Sequence, residues 1–156
     1  PAIGFIGLIA AAIHATDGAS NITVNLLRVL VGTVFLGAVS DAMLLGHWYL
    51  VQPGLPRSIL NELVTALRWV LPVEVAVMLL PTGMFSVLSG AVDDGWNGTL
   101  GWFWVACAIT TAVLIEVTRA ALRERSYSAV MAATGLLYLA ILTAFGTDLV
   151  SRAILA

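Results

Sequence analysis

Apolar residues dominate this chain in long uninterrupted runs, and short clusters of Asp, Gly, Asn, Pro and Arg punctuate them. No run alternates with the period of two that a membrane β-barrel strand shows, so the elements read as helices. A helix crosses ~30 Å of hydrocarbon with about 20 mostly apolar residues. Four runs meet that length: 24–51, 58–80, 99–122 and 127–150. A fifth, 2–15, covers only about 21 Å at ~1.5 Å per residue. It is expected to be the remainder of a longer helix or to be covered by a partner. The fold class predicted is an all-α, polytopic integral membrane helix bundle with four to five transmembrane helices, formed as one unit over 1–156.

The punctuation supports these limits. Asp17-Gly18 stops the first run, and Gln52-Pro53-Gly54-Leu55-Pro56 stops the second, because proline removes a helix donor and clashes with the preceding turn. Ser58 is placed to cap the third helix, with Glu62 in its first turns. Pro72 lies inside that helix and is expected to kink it, and Pro81 to end it. The apolar stretch 82–92 reads as a short re-entrant or interfacial piece, or as a bent extension. Asp93-Asp94-Gly95-Trp96-Asn97-Gly98 is the clearest loop, and Arg123-Glu124-Arg125-Ser126 a tight polar turn.

Composition sharpens this reading. Hydrophobic residues make up 60% of the chain and charged residues 10%, whereas a soluble domain carries about 25% charged. That excludes an ordinary soluble enzyme, a disordered tail, a coiled coil and a collagen. The net charge is −2, with seven cations, all Arg. No cluster of cations is present to bind nucleic acid. Cys107 is the single cysteine, so no internal disulfide forms, and its apolar surroundings assign it to packing. The first residues, Pro1-Ala2, carry no charged region of the kind that opens a signal peptide.

Loop charge predicts orientation, because short cytoplasmic loops carry the Arg excess. Arg57, Arg119, Arg123 and Arg125 fall at one end of the helices, and Asp17, Asp93 and Asp94 at the other. The chain is therefore expected in a bacterial cytoplasmic membrane, N-terminus inside and C-terminus outside. Arg28 and Arg152 fall at the outer end and need snorkelling or a partner such as Asp17, Asp148 or lipid phosphate. Asn21-Ile22-Thr23 and Asn97-Gly98-Thr99 match the glycosylation pattern by chance. Trp96, Trp102 and Trp104 are expected to form an outer aromatic belt.

Ionisable groups at membrane depth are costly and are the candidates for function. Asp41, Glu74, Glu116 and Arg68 are the charged intramembrane set. Glu116 has Arg119 and Arg123 on its own helix face. Arg68 and Glu74 are six residues apart and about 120° apart around the helix, so each needs a partner elsewhere. Asp41 has no cation one turn away, yet it flanks a small-residue stripe, Ala38, Ala42 and Gly46, that favours close helix approach. It is expected to hydrogen-bond another helix, in this chain or a neighbouring subunit. His47-Trp48-Tyr49 reads as an interfacial anchor or as a quinone or lipid-headgroup pocket, and His14 as a candidate haem or pigment ligand. A haem bound by both histidines is disfavoured, because His47 lies ~35 Å down the second helix while His14 ends the first.

No catalytic motif is present, and no cofactor is required, although quinone, haem or chlorophyll would be compatible. The function expected is a non-catalytic subunit of a larger electron-transfer or energy-transducing membrane complex, in contact with lipids and other membrane subunits. The alternatives are a small proton- or cation-coupled transporter or channel, and a membrane enzyme acting on lipid or quinone.

Overall fold

Where side chains cannot supply water's hydrogen bonds, the backbone satisfies itself within helices, and most of the described residues are helical. The computed structural model describes residues 2–14, 22–52, 54–80 and 83–155. They form six helices: α1 (Ala2–His14), α2 (Ile22–Val51), α3 (Ser58–Leu79), α4 (Gly83–Leu88), α5 (Thr99–Arg123) and α6 (Tyr127–Leu155). Three of these, α2, α5 and α6, are long and apolar enough to cross a membrane, which points to an integral membrane protein. The 13 residues of α1 are too few to span, and α3, with 22, is long enough but interrupted by charge.

The long helices close a ring in which α2 packs on α3 and α6, α6 on α5, and α5 on α3, with α1 against α2. One core fills the ring. It takes Phe35, Val39 and Ala42 from α2, Leu60, Val64, Leu67 and Leu71 from α3, Ile115 and Leu122 from α5, and Leu137 and Ala140 from α6. Their three- and four-residue spacing is the one face of each helix that turns inward. A smaller cluster of Met78, Met84, Val87 and Trp104 lies where α4 plugs one end.

Small residues set the helix separations. A Cβ on Gly46 would fall 2.8 Å from Thr134 Oγ1, and one on Gly146 2.7 Å from Cys107 Sγ. The predicted small-residue stripe of α2 thus meets α6 at Gly46: Ala42 and Gly46 are buried, and His47 is exposed. Hydroxyls at apolar depth bond their own helix, as Thr118 does to the Leu114 carbonyl and Thr134 to that of Val130. Each of these hydroxyl hydrogens is thereby satisfied within its own helix.

Several expected boundaries move. Helix α6 runs to Leu155 rather than 150, and α2 begins at Ile22 rather than 24. Ser58 does not cap α3: Arg57 holds the cap position, with no side-chain bond. Pro72 lies inside α3, as the sequence predicts. Of the stretch 82–92, residues 83–88 form the separate helix α4 and 89–92 a turn. Trp96 and Trp102 are exposed as a belt requires, but Trp104 is buried in the bundle. The stops at Asp17-Gly18, Pro53 and Pro81 lie outside the described residues.

Candidate functional site: a buried charge cluster at one end of the bundle

Helix α6 presents Asp148 and Arg152 one turn apart, and Arg152 Nε donates to Asp148 Oδ2 at 2.7 Å. The Asp148 side chain is 3% exposed and that of Arg152 37%. The pair lies against α2 at Gly32, where an added Cβ would come within 2.5 Å of Asp148 Oδ1 and 2.6 Å of Arg152 Nη2. A side chain at position 32 would displace the ion pair, so the glycine is what admits it.

From α3, Glu74 enters the same region. It is 0% exposed, and neither of its carboxylate oxygens meets a hydrogen-bond donor of the described residues. It is close enough to Asp148 and Arg152 to feel the charge of both. Arg28, one turn before Gly32 on α2, donates from Nη2 to the Leu80 carbonyl and so ties α2 to the end of α3. Its Nε, Trp104 Nε1 on α5 and Asp148 Oδ1 are also buried without a partner. Arg28, Glu74, Trp104 and Asp148 each lie five to seven residues from the near end of their helices, or roughly 8–10 Å. Four helices therefore deliver polar groups to one level, beneath the α4 plug.

The other charges lie on the outside of the bundle. Arg68 Nε contacts Glu116 Oε1 at 3.0 Å and Arg119 Nη1 contacts Glu116 Oε2 at 2.8 Å, with Arg68 and Glu116 about half exposed. They line a groove of 210 Å³ between α3 and α5, with Leu71, Pro72, Ala112 and Ile115. The local pairing of Glu116 with Arg119 is as the spacing predicts, and Arg68 supplies a second cation across the helix contact. Asp41 is exposed on α2 and has no hydrogen bond or ion pair with the described residues. The expectation that it bonds another helix of this chain is therefore not met: its side of the small-residue stripe turns outward.

His47, Trp48 and Tyr49 are not brought into one pocket. Successive residues step about 100° around a helix. His47 is exposed and meets the Tyr138 ring edge-on, with centroids 6.5 Å apart. Trp48 is exposed, and its Nε1 donates to Gln52 Oε1 at 3.2 Å. Tyr49 is buried and donates to the Pro56 carbonyl, closing the α2–α3 turn. His14 ends α1, and its side chain lies outside the described residues. His47 is 25 residues along α2, about 38 Å from its start. Among the described residues no three His, Cys, Asp or Glu groups gather as metal ligands.

The loop before α5 is organised by two carboxylates. Asp93 accepts from Gly95 N–H at 2.9 Å. Asp94 accepts from Trp96 and Gly98 on one oxygen and from Leu100 and Gly101 on the other. Gly95, Asn97 and Gly98 all take positive φ to wrap the backbone around it, which costs glycine least. Partial desolvation pushes the Asp94 carboxyl up, but the N–H groups of Gly98, Trp96, Leu100 and Gly101 outweigh it and hold it below the usual range. The result is an anion at the start of α5, where the helix dipole favours one.

The sequence pointed to Glu74 and offered Asp148 as a partner for Arg152, a pairing the structure shows, but it did not bring that pair and Glu74 together. No protein-family model, curated protein or solved structure matches this chain.

Proposed function

We propose that this chain is a non-catalytic integral membrane subunit of a larger assembly of the electron-transfer or energy-transducing kind. The observation that carries the reading is Asp41, exposed on a helix long and apolar enough to cross a membrane, with no partner among the described residues. A carboxylate at that depth costs about 2.5–3.5 kcal/mol on insertion scales. A neighbouring subunit that supplies a donor or cation removes that cost. Large apolar side chains exposed around the bundle, such as Val34, Leu44, Trp69 and Leu142, suit either lipid or a second protein.

In this reading α2, α3, α5 and α6 all cross. Helix α3 covers ~33 Å at its length of 22 residues, and it tolerates Arg68 and Glu74 because one is paired and the other enclosed. Arg57 and Arg123 face the cytoplasm of a bacterial cell, and Asp94 and the C-terminus face outward. With α1 as a further passage the N-terminus is inside. His47 with Tyr138 offers a lipid-facing contact for a quinone or headgroup.

The test is assembly. Solubilised in mild detergent from its native membrane, the chain should migrate with other membrane polypeptides. Asp41→Leu should release it from them without lowering its own melting temperature. Migration as an isolated chain, with Asp41→Leu unchanged, would overturn the reading. Labelling of a cysteine placed at position 94 from the cytoplasmic side would overturn the orientation.

A further inference from the structure

We propose that Glu74 is an intramembrane proton-binding site, which exchanges with the α4 end of the bundle by way of Asp148. The inference is independent of the subunit reading, because it concerns the inside of one chain.

The argument starts from hydrogen-bonding capacity. An ionised carboxylate offers acceptors only, while a protonated one also carries a donor. Glu74 is fully enclosed, and no donor of the described residues reaches either oxygen. A buried carboxylate in that condition is strongly disfavoured, whereas adding a proton from solvent removes the charge. The reaction is simple addition: the carboxylate and one proton give the carboxylic acid, and release reverses it.

The route is readable from exposure. Glu74 is enclosed, Asp148 nearly so, and Arg152, bonded to Asp148, is more than a third exposed. Asp148 Oδ1 has no partner, so it is free to accept a proton or a water in transit. Inward of Glu74 no further charged side chain is buried among the described residues. Leu67 and Leu71 on α3, Phe35 on α2, Ile115 on α5 and Leu137 on α6 are apolar, and the buried hydroxyls of Thr111, Thr118 and Thr134 bond carbonyls of their own helices. The buried charged groups therefore gather at one end only. This arrangement is a proton well; it is not a channel through the bundle. The charged groups that act on it are Asp148 and Arg152 on α6, and Arg28 on α2 lies at a similar level, bonded to the Leu80 carbonyl. Helix α5 brings the uncharged Trp104 and Cys107, and α4 brings no ionisable side chain.

Infrared difference spectroscopy of the chain in lipid nanodiscs tests this. As pH falls, the C=O band of a protonated carboxyl should grow. The band should shift when the chain is labelled with ¹³C-glutamate and should be lost in Glu74→Gln. The label separates Glu74 from every Asp, and the remaining glutamates, Glu62, Glu116 and Glu124, are exposed. It also makes the result readable if Glu74→Gln fails to fold. Asp148→Asn should keep the band but slow its response to a pH jump. Absence of a glutamate band at every pH would overturn the proposal, as would a band that never titrates. A response unchanged in Asp148→Asn would overturn the route.

Discussion

Glu74 and Asp41 are both lone carboxylates on apolar helices, and the fold treats them in opposite ways. Glu74 is enclosed in the bundle, within reach of the charge of the Asp148–Arg152 ion pair. Asp41 is turned out of the bundle with nothing among the described residues to bond. Charge at depth is costly in both places; the first carboxylate is walled in by its own chain, and the second is presented to whatever surrounds the bundle. The cations divide in the same way. Arg152 serves a buried carboxylate, and Arg68 serves a half-exposed one that Arg119 already neutralises.

The largest expected effect tests the inner half of that contrast. Arg152→Ala leaves the Asp148 carboxylate buried without its cation and should lower bundle stability by about 3 kcal/mol. Unfolding in detergent measures the loss, and the double change with Asp148→Ala should recover most of it. If Arg152→Ala is neutral, the interior pair is not the anchor described here.

Two glycines of α2 give the next measure. Gly32→Ala forces the Asp148–Arg152 pair aside and should cost about 1–3 kcal/mol, as overpacking does. Gly37→Ala meets nothing within 4 Å and should gain about 0.5–1 kcal/mol from helix propensity. Equal effects at the two positions would remove the distinction between the inner and outer faces.

Arg68→Ala should cost about 1 kcal/mol or less, because its partner is half exposed and keeps a second cation. A loss as large as that of Arg152→Ala would show that the α3–α5 groove is closed by another molecule in the folded state.

The smallest effect is confined to acid. Asp94 is held below the ordinary carboxyl range in the folded chain. Its contribution is therefore complete above the unfolded value, near 4, and disappears as pH falls through the depressed folded value. Asp94→Asn should flatten that acid limb of the melting curve while changing the infrared response of Glu74 little. Melting curves recorded from neutral to acid pH check it.

Much of the molecule is legible in its residues without a fold. The apolar runs require helices because backbone groups in lipid have no other partners. Asp93 to Gly98 and Arg123 to Ser126 mark the turns, and the period of Ala38, Ala42 and Gly46 marks a helix contact. Glu116 and Arg119 pair because three residues bring side chains onto one helix face. These are local relations, and local geometry decides them. What surrounds Glu74 is of another kind. It depends on which face of α3 meets α2 and α6, on Gly32 admitting Asp148 and Arg152, and on α4 sealing the end. The outward turn of Asp41 and the inward turn of Trp104 were decided in the same way. A rotation of one helix by a fraction of a turn exchanges inside for outside, and only the packing of the whole ring sets that rotation.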